Sequence, residues 1–245
     1  MNQELFQTSC SLVIDQALQV NGIGTLSEKT IHAVLKHYYS PNTSCHEQKV
    51  KNFVADILIE NHIIEIQTRH FYTLRRKLEA YLPEHEVTIV YPIAHNKWLS
   101  WVNEETGEVS KPRKSPKTGV AYQIFPELYQ IKDYLKNPNL HLNIISIDVE
   151  EYRLLNGWSK DKKKGSTRND GIPVALFDEM VITTKDDYHK LLPANLPKQF
   201  TTKDYKKAAR VSQRVATTAL NILYHMNTID RVGKQGNAFL YEVIY

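Results

Sequence analysis

Phe53-Val-Ala-Asp56-Ile-Leu-Ile-Glu-Asn-His-Ile-Ile-Glu65-Ile-Gln67 reads as two short strands joined at Glu60-Asn61. With the turn there, antiparallel partners have numbers of constant sum. Leu58 faces Ile63, Asp56 faces Glu65 and Val54 faces Gln67. Successive strand residues point to opposite faces. Ala55, Ile57, Ile59, Ile64 and Ile66 therefore form an apolar face suited to a core, while Asp56, Glu65 and Gln67 share the other. Like charges directly opposite one another destabilise an antiparallel pair. Two carboxylates in that register are expected to hold a cation between them, and Mg²⁺ suits oxygen ligands.

Working outward, Thr25-Leu-Ser-Glu28 has the form of a capping box. Ile31, Val34, Leu35 and Tyr38 follow at helical spacing, so a helix is expected over residues 27–39. Strands are expected over 46–50, 53–59 and 62–67, then a helix over 71–82 that carries Arg75, Arg76 and Lys77 and stops at Pro83. Val87-Thr-Ile-Val-Tyr91 is a β-branched run and reads as a buried strand. Residues 98–103 and 108–110 read as a hairpin, 125–135 as a helix and 142–149 as a strand. The acids at 150 and 151 suggest that a helix or loop starts there.

The 245 residues allow one large domain or two modest ones. A hydrophobic fraction of 42% and a charged fraction of 24% are those of an ordinary globular chain. No apolar run approaches the roughly 20 residues of a membrane span, and residues 1–7 lack the marks of a signal peptide. Cys10 and Cys45 make no disulfide framework. A cytoplasmic location and no membrane partner are expected. Cys45-His46-Glu47 groups three metal-ligand types, but neighbouring strand residues point apart and cannot all meet one ion.

Net charge is only +4, yet the cations are clustered. Residues 111–117 carry Lys111, Arg113, Lys114 and Lys117 with no acid. Residues 158–168 carry Lys160, Lys162, Lys163, Lys164 and Arg168 against Asp161. Residues 198–234 hold eight cations, Lys234 among them, against Asp204 and Asp230. Any one run also fits a solvated loop. Three of them beside a carboxylate pair point to a nucleic-acid polyanion.

The C-terminal part has its own rhythm. A short helix over 203–209, a break at Arg210-Val211, a helix over 212–226 and strands over 229–232 and 238–245 make a winged helix-turn-helix pattern. Val215, Ala219, Ile222, Leu223 and Met226 share one face of the second helix. Arg214, Thr217, Thr218, Asn221 and His225 share the other, where Arg and Asn can read base edges in a major groove. The same module also serves protein contact or dimerisation. The expected organisation is a core over 1–157, a basic linker over 158–184 and a DNA-binding domain over 185–245.

These features together resemble the PD-(D/E)xK nuclease superfamily, the restriction-endonuclease-like fold, with a C-terminal winged helix. The motif matches as Asp56 on the second strand and Glu65-Ile66-Gln67 on the third, and the resemblance spans about residues 25–150. The whole chain also resembles a family of uncharacterised bacterial proteins with this domain pair. The fold implied is α/β (α+β), an αβββαβ core with a mixed sheet plus the winged helix-turn-helix. The implied chemistry is Mg²⁺- or Mn²⁺-dependent hydrolysis of DNA phosphodiester bonds. Asp56, Glu65 and the Ile66 carbonyl would hold metal, with Glu47 or Glu28 completing or supporting the site.

The superfamily's usual Lys is Gln67 here. A Gln can orient water but brings no charge, and Arg69 is the first candidate to supply it. DNA contacts are expected from Arg113, Lys114, Lys163, Lys164, Arg168, Arg214, Thr217, Thr218, Asn221 and Lys234. Double-strand cutting would favour a homodimer. Two other readings stay open: a DNA-binding regulator on an inactive nuclease core, and a structural or partner-binding component of a larger assembly such as a defence system.

Overall fold

In the computed structural model, residues 1–21, 29–103, 105–154 and 167–245 are described. The chain is mixed α and β. Helices α1 (Gln3–Asn21) and α2 (Lys29–Tyr39) are followed by β1 (His46–Val50), β2 (Phe53–Ile59) and β3 (His62–Ile66). A 3-10 turn at Phe71–Leu74 then leads into α3 (Arg75–Tyr81). After it come β4 (Glu86–Val102), β5 (Arg113–Lys114), α4 (Phe125–Gln130), β6 (Leu140–Leu154) and β7 (Thr167–Ile182). The chain ends with β8 (Gln199–Phe200), α5 (Thr202–Ala209), α6 (Gln213–His225), β9 (Ile229–Gln235) and β10 (Ala238–Val243). One sheet has the order β1-β2-β3-β4-β6-β7, with β5 on β4, and the second has the order β8-β10-β9.

The expected hairpin forms with the expected turn. Ile57 pairs with Ile64, Leu58 with Ile63 and Ile59 with His62 in an antiparallel ladder, and Glu60 takes the left-handed conformation at the turn. β3 then pairs parallel with β4, from His62 opposite Glu86 to Ile66 opposite Val90. The sheet is therefore mixed. The runs 87–91 and 98–103 are parts of one long strand rather than two. Pro92, which has no N–H to donate, follows the last rungs with β3, where Gln67 N–H bonds the Val90 carbonyl at 2.9 Å.

Contact density divides the chain into two units, each discontinuous in sequence. The first comprises Met1–His46, Pro92–Gly119 and Ile145–Glu179. Within it α1 packs on α2, with Phe6 fully buried edge-on against Tyr38. Tyr39 donates to Glu179 Oε1 at 2.9 Å. β6 runs straight through residues 150 and 151, where a helix or loop was expected. Glu151 is buried there and held by Arg153 at 2.6 Å and Lys97 at 3.5 Å. Residues 167–182, expected as linker, form β7 of the large sheet.

The second unit comprises Glu47–Tyr91, Val120–Ile144 and Met180–Tyr245. Its core holds Ala55, Ile57, Ile63, Ile64, Ile66, Leu78, Tyr81 and Ile89. Ile59, expected in that core, is 37% exposed at the strand end. Ile63, on the face given to the acids, is fully buried. β3 is covered on both faces, so strict alternation holds only on β2. Residues 185–245 belong to this unit rather than standing apart. In the C-terminal region α6 packs against α5, α4 and β9. Thr201 and Asp204 form a capping box that starts α5. Arg210 breaks the helix in the left-handed conformation, and the Ser212 hydroxyl accepts from Val215 N–H to start α6. Among the described residues, no helix is long and apolar enough to cross a membrane.

Candidate functional site

The β2–β3 ladder ends one residue short of the acids, at Ile57 and Ile64. There the Asp56 side chain takes over the pairing, with Oδ2 accepting the Ile66 N–H at 2.8 Å. Glu65 is buried, with 2% of its surface exposed. Its partner comes from α3. Lys77 Nζ lies 2.9 Å from Oε1 and 2.8 Å from Oε2 of Glu65, and 2.7 Å from the Val54 carbonyl. One ammonium thus spends its three donors on a carboxylate of β3 and the main chain of β2. The like charges of the hairpin are answered by a fixed ammonium.

Lys77 went unassigned in the sequence, although a signal for it exists. Leu74, Leu78 and Tyr81 are buried, and Lys77 lies on the same stripe at spacings i+3, i+4 and i+7. A charged residue on a core-facing stripe needs a buried counter-charge. Tyr81, one turn further on, is fully buried, and among the described residues its hydroxyl has no hydrogen-bond partner. Burial, then the negative charges of Glu65 and Asp56, push its phenol well above the usual range. The Tyr81 proton is therefore held firmly beside the two acids.

Gln67 is half-buried, and its Nε2 donates to the Arg69 carbonyl at 2.5 Å. Arg69 is exposed. Glu47 is exposed on β1 with φ 51. Among the described residues, no three His, Cys, Asp or Glu side chains gather where a metal could be held, so Glu47 does not join Asp56 and Glu65 as expected. Glu28 lies outside the described residues. The candidate donors beside the hairpin are the Asp56 carboxylate, whose Oδ2 accepts from Ile66 N–H, and the Glu65 carboxylate, which Lys77 holds by both oxygens. These hard oxygens fit Mg²⁺, which keeps several waters and needs only one or two carboxylates from the protein.

The expected DNA-contact residues fall into three groups. Arg113 and Lys114 are exposed on β5, where they pair with Leu99 and Trp98, and Lys114 lies 5.6 Å over the Trp98 ring. Lys163, Lys164 and the Arg168 side chain lie outside the described residues. Arg214 and Thr217 are exposed on α6 and Lys234 on β9, but Thr218 and Asn221 are half-buried. Asn221 Oδ1 accepts from Lys132 Nζ at 2.9 Å. The Thr217 and Thr218 hydroxyls donate back to the carbonyls of Gln213 and Arg214 at 3.0 and 2.9 Å. Arg231, one of the eight cations of residues 198–234 but assigned no contact, is exposed, with its guanidinium carbon 4.7 Å from the Tyr224 ring centroid and 4.2 Å from that of Phe239.

Fold and site together define a mixed α/β protein with a carboxylate–ammonium cluster between a β hairpin and helix α3. The chain belongs to the family described as Domain of unknown function (DUF8091), whose model matches residues 29–183. That match includes the hairpin and α3 and stops short of β8. The chain is 33% identical over 147 residues to an uncharacterised protein of Treponema pallidum (strain Nichols). The alignment covers 60% of this chain and 56% of that protein. No solved structure matches the chain.

Proposed function

We propose that this protein is a metal-dependent endonuclease of restriction-endonuclease-like fold that hydrolyses DNA phosphodiester bonds. The observation that carries the reading is the cluster of Asp56, Glu65 and Lys77 at the open end of the β2–β3 ladder. It unites two acids and an ammonium, the residue types of a PD-(D/E)xK site, although the Lys comes from α3. The order α2-β1-β2-β3-α3-β4, with β2 and β3 antiparallel and β3 and β4 parallel, supports it further. The helix-turn-helix and the β8-β10-β9 sheet support a winged helix that brings double-stranded DNA to the site. A cytoplasmic location and a homodimer for double-strand cutting belong to the same proposal.

In this reading Asp56, Glu65 and the Ile66 carbonyl would hold Mg²⁺ or Mn²⁺. When bound, the metal lowers the pKa of a water and neutralises charge on the phosphate. Lys77 holds the Glu65 carboxylate in place and offers positive charge next to the scissile group. Gln67 can orient a water through its carboxamide. Tyr81 backs the acids with a hydroxyl that keeps its proton.

The test is incubation of plasmid DNA with the protein in Mg²⁺ or Mn²⁺. Asp56→Ala and Glu65→Ala, each checked for folding by circular dichroism because Glu65→Ala leaves Lys77 without its counter-charge, should abolish cleavage and leave DNA affinity largely intact. Cleavage by the double variant at the wild-type rate would sink the proposal. A second reading, a DNA-binding regulator without catalysis, is favoured by one observation: Lys77 already engages both Glu65 oxygens. It expects salt-sensitive DNA binding and no cutting with either metal. Absence of DNA binding at low salt would exclude both and favour a partner-binding component.

A further inference from the structure

A second group of cations gathers in the unit that holds the hairpin, on other elements. Between the segment after α4, the C-terminal half of α6 and the start of β9 lies a cleft of about 500 Å³. Lys132 and Lys136 line it from the first, Asn221, Tyr224 and His225 from the second and Arg231 from the third. Its acid is Asp230, whose Oδ1 accepts the Arg231 main-chain N–H at 2.7 Å. Lys132 is anchored through Asn221. Among the described residues, no carboxylate pairs with Lys136 or with Arg231.

The Arg231 guanidinium carbon instead lies 4.7 Å from the Tyr224 ring centroid and 4.2 Å from that of Phe239. Ring contacts of this kind restrain an Arg without using its N–H donors, and a guanidinium can offer two of them to one oxyanion. His225 also lines the cleft. Burial, then the charges of Lys136 and Lys132, lower the proton affinity of its ring, while the Lys132 main chain and Asp133 raise it. The cleft thus concentrates positive potential that its own side chains do not neutralise.

We propose that this cleft is a phosphate-binding site, with Arg231 and Lys136 as its charged donors, Lys132 beside them and Tyr224 at its rim. A volume of this order suits a ligand as large as a nucleoside phosphate. The shared chemistry is a phosphate group, from a free phosphorylated ligand or from the backbone of DNA. The proposal stands apart from the Asp56–Glu65 cluster and does not need hydrolysis.

The full chain would be titrated by calorimetry with inorganic phosphate, pyrophosphate and AMP at constant ionic strength. A labelled short DNA duplex would be titrated by fluorescence anisotropy. Lys136→Gln and Arg231→Gln are compared with wild type after circular dichroism has checked folding. Lys136 is exposed, so its variant stands in should Arg231→Gln disturb the aromatic packing. The expected result is millimolar or tighter binding of at least one probe, weakened about tenfold in each variant, as loss of one charge-assisted hydrogen bond implies. Loss for the small anions alone assigns the site to a free ligand, and loss for the duplex alone assigns it to backbone phosphate. No binding of any probe, or variants that bind like wild type, overturns the proposal. Small-anion binding that persists in a protein unable to bind DNA would retain this site while removing the nuclease reading.

Discussion

Lys77 on α3 grips Glu65 on β3 with both carboxylate oxygens inside 3 Å. The Glu side chain is nearly closed to water at 3% exposed, and the Lys side chain is mostly covered at 23%. Removing one member leaves the other buried without a counter-charge, which is costly, whereas replacing both with apolar groups is often neutral. Lys77→Met should therefore destabilise the fold by about 2–4 kcal/mol in urea denaturation. Lys77→Met combined with Glu65→Leu should recover most of that loss. A single variant as stable as wild type would mean that the pair does not form in solution.

Gly119 marks a tight approach in the first unit. Its N–H bonds the His95 carbonyl at 2.9 Å, and a Cβ there would collide with the main-chain oxygen of Ala94 and the Ile93 side chain. Gly119→Ala should cost about 1–3 kcal/mol through overpacking, visible as a lower thermal midpoint. Substitution at Gly233, where a Cβ would meet nothing within 4 Å, is the matched control and should change the midpoint far less.

Asp187 is held well below the usual carboxylate range, first by Lys190 and also by the N–H groups of Thr183 and Thr184. Its carboxylate is bound more tightly in the folded state, so its contribution is complete above the unfolded value near 3.8. That contribution fades as pH falls below that value toward the folded one. Urea midpoints at pH 5 and pH 2.5 should converge in Asp187→Asn relative to wild type. An identical acid loss in both proteins would remove Asp187 from the acid sensitivity.

Cys10 lies on α1 and is 4% exposed. Burial pushes its thiol up to about 12, so almost no thiolate exists at pH 8, and the thiolate is the nucleophile. Native protein treated with iodoacetamide at pH 8 should modify Cys10 at a small fraction of its rate in denaturant. Peptide mass spectrometry separates it from Cys45. Equal rates with and without denaturant would show that α1 leaves its packed position.

Much of the hairpin was legible because it is local. The Glu60-Asn61 turn fixes a constant-sum register, and β2 has one neighbour close in sequence to read against. The two C-terminal helices were legible for the same reason: the break at Arg210-Val211 and the apolar period of α6 lie within about two dozen residues. β7 was not legible, because residues 167–182 become a strand only where β6 offers an edge. The burial of Ile63 and Glu65 was missed because it comes from a second covered face of β3. Asn221 was read as free on the basis of helical phase alone, and Lys132, 89 positions away, takes its oxygen.

The sequence by itself determined the register of the two-residue turn, with Leu58 facing Ile63, since strand alternation and turn position leave no other pairing. It also determined that a short helix, a break and an amphipathic helix precede a terminal hairpin. Only the tertiary structure decided what answers the two acids. Lys77 reaches Glu65 because α3 lays its Leu74–Leu78–Tyr81 stripe on the core, and that docking depends on apolar burial distributed over distant strands. Tertiary packing likewise gathered Lys132, Lys136 and Arg231, cations that helical and strand periods leave scattered along the chain, around one cleft.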